Sequence, residues 1–326
     1  MRMKSTALAP MLVLTAGLAG CTANSLLITP VTSKRSLVET ELRRDGLFAF
    51  DKIALIDVSG VIANSPRQQL LGGGEHPVSL LLEQLQRARR DRRVKAVILR
   101  INSPGGTVAA SELMHDEIMN FRRVTGKPVY AVMMDVAASG AFYIACACDE
   151  ILALRSTVTG SIGVIMQMFD VTGTMKLIGV QADAITSGRF KDAGSPLKEM
   201  TPEEREIFQS IVNDMYERFV GVVVAGRPGL SEAEVRRLAD GRVYTSQQAL
   251  DAGLIDRIAT LREAVDLVKK DVGAKRIRLV AYQRPLDFRP NYYAESPAPQ
   301  PVNLLNVQLP PDPAALAPRF LYVWIP

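Results

Sequence analysis

Apolar residues in this chain fall into two arrangements: unbroken runs of strand length and spaced stripes of helix length. Three runs stand out: residues 52–63 (KIALIDVSGVIA), 95–102 (KAVILRIN) and the stretch opening at Val129 (VYAVMMDVAA). Each reads as a strand covered on both faces. Residues 77–93 carry Leu80, Leu81, Leu82 and Leu85 and end in basic residues, which suit the negative end of a helix. A second helix is predicted after Gly106, running to about Arg123, and a third from Gly140 onward, where residues are small and apolar. Residues 151–169 predict one or two strands broken by Gly160 and Gly163. A short helix over 171–179 and a strand over 180–185 follow. This alternation predicts an α/β fold with a mainly parallel sheet.

The second half changes character. Thr201-Pro202-Glu203-Glu204 forms a capping box with proline at the first helical position. Behind it Ile207, Ile211, Met215 and Phe219 recur every four residues, beside Phe208 and Val212, which predicts an amphipathic helix to about Ala225. Ser231 with Glu234 starts another helix, residues 243–255 and 261–272 predict two more, and residues 276–282 a closing strand. Residues 284–326 hold ten of the nineteen prolines, a density that excludes long helices and interior strands. This segment reads as an extended tail. Its apolar end, Phe320 to Ile325, suits docking on its own domain, on a neighbouring subunit or on lipid.

The N-terminus has the shape of an export signal. Arg2 and Lys4 precede an apolar stretch from Ala7 to Leu18, too short for a membrane-spanning helix. The stretch ends in Leu18-Ala19-Gly20-Cys21, which resembles the lipobox of bacterial lipoproteins, whose cysteine is acylated and becomes the mature N-terminus. The organisation expected is therefore a signal peptide (1–20), a lipid-anchored tether (21–49, helical over 36–44), a catalytic domain (50–283) and the proline-rich tail (284–326). Thr22 is not the aspartate associated with inner-membrane retention, which favours an outer membrane where one exists.

Composition narrows the classes further. The net charge of +5 is mild, and removal of Arg2 and Lys4 leaves +3. No Lys/Arg block points to nucleic acid. Beyond Cys21, only Cys146 and Cys148 remain; both read as small buried hydrophobes, with no disulfide framework and no metal-ligand spacing. No cofactor is expected.

Three places could carry chemistry. Ser139, in Ala137-Ala138-Ser139-Gly140, sits at a strand-to-helix corner, where it is either a helix cap or a nucleophile backed by free backbone N–H groups. A nucleophilic serine needs a base. The only histidines, His76 in a glycine-rich loop and His115 beside Asp116 in a helix, have no setting that suggests that role. Lys191, in the polar loop Thr186-Ser187-Gly188-Arg189-Phe190-Lys191-Asp192, is either an ordinary loop lysine or a base made neutral by burial and nearby positive charge. Ser103-Pro104-Gly105-Gly106 is either a tight turn or a backbone able to aim N–H groups into a cleft.

Taken together, Arg100-Ile101-Asn102-Ser103-Pro104-Gly105-Gly106, Ala138-Ser139-Gly140, Thr159-Gly160-Ser161-Ile162-Gly163 and Ser187-Gly188-Arg189-Phe190-Lys191 resemble the signal peptide peptidase A (protease IV) family, in the family's order. The 52-residue interval from Ser139 to Lys191 fits its short single-unit form. Asp240-Gly241-Arg242-Val243-Tyr244-Thr245 and Ala249-Leu250-Asp251-Ala252-Gly253-Leu254-Ile255-Asp256 look like its closing segment. The resemblance covers about residues 50–270.

It implies a crotonase-like, Clp-protease-like ββα spiral with a helical C-terminal part. It implies Ser139 as nucleophile, Lys191 as general base, Ser161 orienting the lysine, and an oxyanion hole from the N–H of Gly140 and one of Gly105 or Gly106, with Gly106 favoured. The expected protein is a serine endopeptidase of the bacterial cell envelope, acting outside the cytoplasm on signal peptide remnants and unfolded hydrophobic segments. The family assembles as a ring whose dyads form across subunit contacts. An inactive envelope scaffold of the same fold, or an acyl-CoA enzyme sharing the spiral, would be the rival. The lipobox and the proline-rich tail depart from the family pattern.

Overall fold

The computed structural model of the protein describes residues 36–64, 76–284 and 319–324. The leader, Cys21 and most of the proline-rich tail lie outside the described residues. In chain order the first elements are β1 (Val38–Arg44), β2 (Asp51–Ser59), α1 (Pro77–Arg90), β3 (Val94–Ser103), β4 (Gly105–Thr107), α2 (Val108–Thr125), β5 (Val129–Ala138) and α3 (Gly140–Ala145). There follow β6 (Glu150–Ala153), β7 (Val158–Gly160), β8 (Ile165–Gln167), α4 (Thr172–Leu177), α5 (Pro202–Gly226) and α6 (Glu232–Leu238). The last are β9 (Val243–Thr245), α7 (Ser246–Asp251), β10 (Arg257–Ile258), α8 (Leu261–Asp271), β11 (Ile277–Gln283) and β12 (Arg319–Val323).

The three apolar runs of the sequence become β2, β3 and β5 and lie side by side. The main sheet has the order β1-β11-β2-β3-β5-β6-β10, parallel along this path except for the antiparallel pair of β1 and β11. Its strands are covered on both faces, as their unbroken hydrophobicity requires. Ile53, Leu55, Ile98, Tyr130 and Val132 point towards Leu261, Val265 and Val268 of α8. Ala54, Ile56, Val97, Leu99, Ala131 and Met133 lie in the larger core with side chains of α1, α2, α3 and α5. The result is a three-layer α/β arrangement around a mixed sheet.

The sheet divides along β5. Residues Tyr130–Met133 pair with β6, whereas Val136–Ala138 pair with β7, which in turn pairs antiparallel with β9. Thr157 Oγ1 donates to the carbonyls of Met133 (3.1 Å) and Met134 (2.5 Å) at the change of partner. The last turn of β5 is thereby directed away from β6, and Ser139 follows immediately. A second, three-stranded sheet has the order β4-β12-β8.

Several predicted elements are confirmed and others are corrected. The capping boxes at Thr201/Glu204 and Ser231/Glu234 are formed and start α5 and α6. Residues 38–44, expected to be helical within a tether, are instead the edge strand β1, so the sheet begins before residue 50. Their Glu, Leu and Arg favour helix locally, and pairing with β11 overrides that preference. Residues 180–185, expected to be a strand, have no strand partner and are exposed. Residues 243–245, expected to open a helix, form β9; the helix α7 starts only at Ser246, capped by Thr245. The helix at Gly140 is six residues long and ends before Cys146. The apolar end of the tail docks on its own domain as β12.

Candidate active site

Ser139 closes β5 and precedes α3 with φ 53° and ψ −117°. A positive φ at a residue with a Cβ costs about 1–3 kcal/mol and persists only where the surroundings over-determine it. Here they do. The Ser139 N–H donates to the Gly160 carbonyl (2.7 Å), and the Ser139 carbonyl accepts from Tyr143 N–H (2.9 Å). Thr159 Oγ1 donates to the Ala137 carbonyl (2.7 Å). Such a strained strand-to-helix turn presents a hydroxyl clear of its own backbone. The side chain makes no capping bond, so the helix-cap alternative fails. α3 is too short to supply much dipole; what it offers is the Gly140 N–H, which has no acceptor within its own helix.

The Arg100–Gly106 motif builds the opposite wall, and most of its residues have a definable task. Arg100 is 2% exposed and grips Asp57 of the neighbouring strand with two bonds, Nε to Oδ1 at 2.7 Å and Nη2 to Oδ2 at 3.0 Å. Asn102 accepts from Val136 N–H (3.2 Å) and donates to Asp135 Oδ2 (3.3 Å), tying the end of β3 to the end of β5. Ser103 Oγ donates to the Gly60 carbonyl (2.6 Å) and accepts from Gly105 N–H (3.1 Å). The Gly105 N–H is therefore occupied. Gly106 is different: Ile62 N–H bonds Gly105 O and Thr107 N–H bonds Ile62 O, so Gly106 turns its own N–H and carbonyl to the other side, towards β12.

Close approach makes these glycines obligatory. A Cβ on Gly106 would stand 1.7 Å from the Ile62 carbonyl oxygen. Gly105 has φ 102°, and a Cβ there would stand 2.8 Å from Gly140 N and 2.1 Å from the Tyr322 carbonyl oxygen. The Pro-Gly-Gly turn and the serine corner are thus in contact.

Ser161 also has a positive φ, 49°, and is 8% exposed. Its N–H donates to Arg242 O (2.8 Å), and Gly241 N–H donates to Ile162 O (3.1 Å). The segment around Asp240 to Thr245 is the brace behind Ser161, a role its sequence did not disclose. Ser111 was also missed: its Oγ donates to Thr107 O (3.1 Å) and lies 2.3 Å from where a Cβ on Gly140 would be.

Within one chain the structure brings together Ser139, Gly140, Ser161, Gly105 and Gly106. It does not join Lys191 to them: no hydrogen bond links Lys191 to Ser139 or Ser161. Lys191 is exposed in a turn, its N–H on the Gly188 carbonyl (3.0 Å). Its neighbours are matched with acids. Lys198 bridges Asp192 (2.7 Å) and Glu204 (2.6 Å), Lys176 meets Glu199 (2.9 Å), and Arg189 meets Glu203 (2.9 Å). Among the described residues Lys191 has no acid partner.

Neither histidine serves the serine. His76 caps α1, accepting from Ser79 N–H at Nδ1 (3.4 Å). His115 packs edge-on against Tyr143, and burial holds its imidazole below its ordinary value despite Asp116. Cys146 and Cys148 are buried and free; burial pushes the Cys146 thiol up to about 12 and raises that of Cys148 as well. Among the described residues no cluster of three or more His, Cys, Asp or Glu is placed to hold a metal ion. No helix among them is long and apolar enough to cross a membrane.

A strained serine corner packed against a glycine turn on a mixed α/β sheet is an arrangement that suits a hydrolase. Sequence comparison agrees: residues 122–275 match the model of peptidase family S49. The chain is 35% identical over 232 residues to the Enterococcus faecium protein named "Putative signal peptide peptidase SppA", covering 71% of this chain and 67% of that one. It is 34% identical to Protease 4 of Haemophilus influenzae, over 69% of this chain and 36% of that protein. With the chloroplastic serine protease SPPA of Arabidopsis thaliana it shares 33% identity, over 74% of this chain and 36% of the relative. The chain belongs to the signal peptide peptidase A (protease IV) family, S49.

Proposed function

We propose that this peptidase is a serine endopeptidase working through a Ser139–Lys191 dyad completed between two copies of the chain, on the family's ββα spiral. The observation that carries the reading is the Ser139 corner, strained to φ 53° and in contact with the glycine turn. Ser139 Oγ attacks a peptide carbonyl whose oxygen receives the N–H groups of Gly140 and Gly106. Gly106 is preferred to Gly105 because Ser103 already accepts the Gly105 N–H. Charge developing on that oxygen is stabilised by donors already in place. Lys191 takes the serine proton and passes it to the leaving amine, then activates the water that hydrolyses the acyl-enzyme. Ser161 holds the amine in line.

Assembly supplies what a single chain lacks. Leu177, Ile178, Val180, Ile185, Phe190 and Leu197, all near the lysine in sequence, are exposed, Ile185 completely. Exposed large apolar side chains gathered in one segment suit an interaction face. Burying it in a homo-oligomeric ring strips water from the lysine amine so that it stands uncharged, as a base must. The substrates are unfolded hydrophobic segments, signal peptide remnants among them. Acylated Cys21 anchors the protein to the membrane, with the peptidase domain outside the cytoplasm. Ser139→Ala and Lys191→Ala should each abolish cleavage of unfolded casein while leaving the ring intact by light scattering. Near wild-type turnover in either variant would refute the dyad.

A further inference from the structure

The Ser139 corner lies where the parallel strands end. The opposite edge of the sheet, where they begin, has a different surface. There the turn between β1 and β2 exposes Leu47 (83%), Phe48 (69%) and Phe50 (63%). The turn is held in shape: Ala49 is buried, its N–H donates to the Gly46 carbonyl (3.3 Å), and Gly46 has φ 94°. On either side, Asp45 N–H donates to the Ile277 carbonyl (3.0 Å) and Lys52 N–H to the Arg93 carbonyl (2.7 Å). The segments leading into β11 and β3 therefore flank the apolar turn.

Both flanking segments are basic. Arg92 and Arg93 precede β3, and Lys270, Lys275 and Arg276 lie between the last turn of α8 and the start of β11. All five are exposed, and among the described residues none forms an ion pair. The acids of this edge are already engaged: Asp91 with Lys52 (2.8 Å), Asp51 with Lys95 (3.7 Å), and Asp45 with Arg43 (3.2 Å) and Lys269 (2.6 Å). Asp271 accepts from the Tyr130 hydroxyl (3.2 Å). Positive charge is therefore in surplus around an apolar tip. A second copy docked edge to edge would bring the cations of both copies together, which like-charge repulsion opposes. A bilayer of anionic lipid meets both features at once, with phosphates for the cations and an apolar interior for the tip.

We propose that this edge rests on an anionic lipid bilayer, with Leu47, Phe48 and Phe50 inserted at the headgroup level and the five cations against lipid phosphates. The proposal goes beyond the peptidase reading and needs neither the dyad nor an acylated Cys21. What it adds is an orientation. Ser139 follows the far end of β5, so strands of this length hold it about 30 Å from the lipid. Peptides are then cut after they have left the bilayer, not within it. The tether fits this arrangement. β1 begins at the far end of the sheet, Val38 opposite Gln283. The 15 residues from Cys21 to Ser36 extend to about 50 Å, enough to lead from there back to the bilayer.

Vesicle cosedimentation tests this with the mature chain (residues 21–326), made without its leader so that Cys21 carries no lipid. It should bind phosphatidylglycerol vesicles about a hundredfold more tightly than phosphatidylcholine vesicles. Phe48→Ser and Phe50→Ser should each weaken that binding about tenfold, and Lys275→Ala and Arg276→Ala about fivefold each. Val61→Ser, at an exposed apolar residue just past the other end of β2, should leave it unchanged. A polarity-sensitive dye on Leu47→Cys should shift to the blue on phosphatidylglycerol vesicles, and one on Val61→Cys should not. All these variants should digest casein like the wild type. Equal binding to the two vesicle types, or unweakened binding by Phe48→Ser, would overturn the proposal. So would a smaller assembly for Phe48→Ser in sedimentation velocity, which would make the turn a contact between copies. Failure of the wild type to digest casein would instead refute the peptidase reading and leave the vesicle result standing.

Discussion

The Ser139 corner and the Lys191 loop differ in almost every physical respect. The corner is enclosed: Ser139 is 1% exposed, and both of its neighbours in sequence are fully buried. The loop is open. Residues 180–190 are exposed throughout, have no strand partner, and are followed by the ion pairs of Lys198 with Asp192 and Glu204. One region is finished by the folding of a single chain, and the other has a surface that a single chain leaves uncovered. Under the proposed dyad, the nucleophile would be placed by folding and the base by association, and activity would appear only once copies had met.

The largest effects should come from breaking the corner. Ser139→Ala should lower turnover by about a thousandfold or more, because a nucleophile has no substitute; peptide kinetics with active-site titration will check this. Gly106→Ala puts a Cβ 1.7 Å from Ile62 O and should cost about 3 kcal/mol or fail to fold, since overpacking against backbone cannot relax. Thermal melts decide the matter, and a variant as stable as wild type would mean that the turn is looser than described.

Breaking the loop should act differently. Ile185→Asp removes an apolar side chain that touches no core in the single chain, so it should leave the melting temperature within about 2 °C while shifting the protein to monomer and lowering turnover. Assembly is read by analytical ultracentrifugation. Unchanged assembly would mean the uncovered face lies elsewhere.

A milder test concerns the ion pair that holds the start of β6. Arg227 holds Asp256 through two bonds (2.8 and 2.7 Å), and Asp256 accepts from Ile151 N–H (2.8 Å). Burial would raise the Asp256 carboxyl, but the Arg227 guanidinium and the Ile151 N–H outweigh it and hold it below its ordinary value. A depressed folded value stabilises above the unfolded one and is lost as pH falls through the folded one. Asp256→Asn should therefore cost about 1–3 kcal/mol at pH 7, with the gap from wild type closing below about pH 4. A gap constant down to pH 2 would contradict the ion pair. The smallest effect concerns the thiols: Cys146 and Cys148 should resist alkylation at pH 8 until the protein is unfolded, and rapid native labelling at either would show the core opening there.

Much of the corner was legible beforehand because its signals are local. An apolar run stopping at Ser139-Gly140, and a Pro-Gly-Gly turn after another run, announce strand ends by residue type alone. What stayed hidden depends on distant partners. Residues 38–44 look helical until β11 offers an edge, and 180–185 look like a strand until no neighbour arrives. The tail's aromatic end could be seen as sticky, but its destination follows only from the unpaired side of Gly106. Ser111 gave no signal, being one serine on a helix face.

The most direct test of division between copies is subunit mixing. Ser139→Ala and Lys191→Ala chains, each inactive alone, are unfolded together, refolded as mixed rings and assayed on peptide. Random mixing should restore about a quarter of wild-type activity, because one contact in four then joins an intact serine to an intact lysine. Mixed rings that form but stay silent would contradict the account, since both groups would then have to come from one chain.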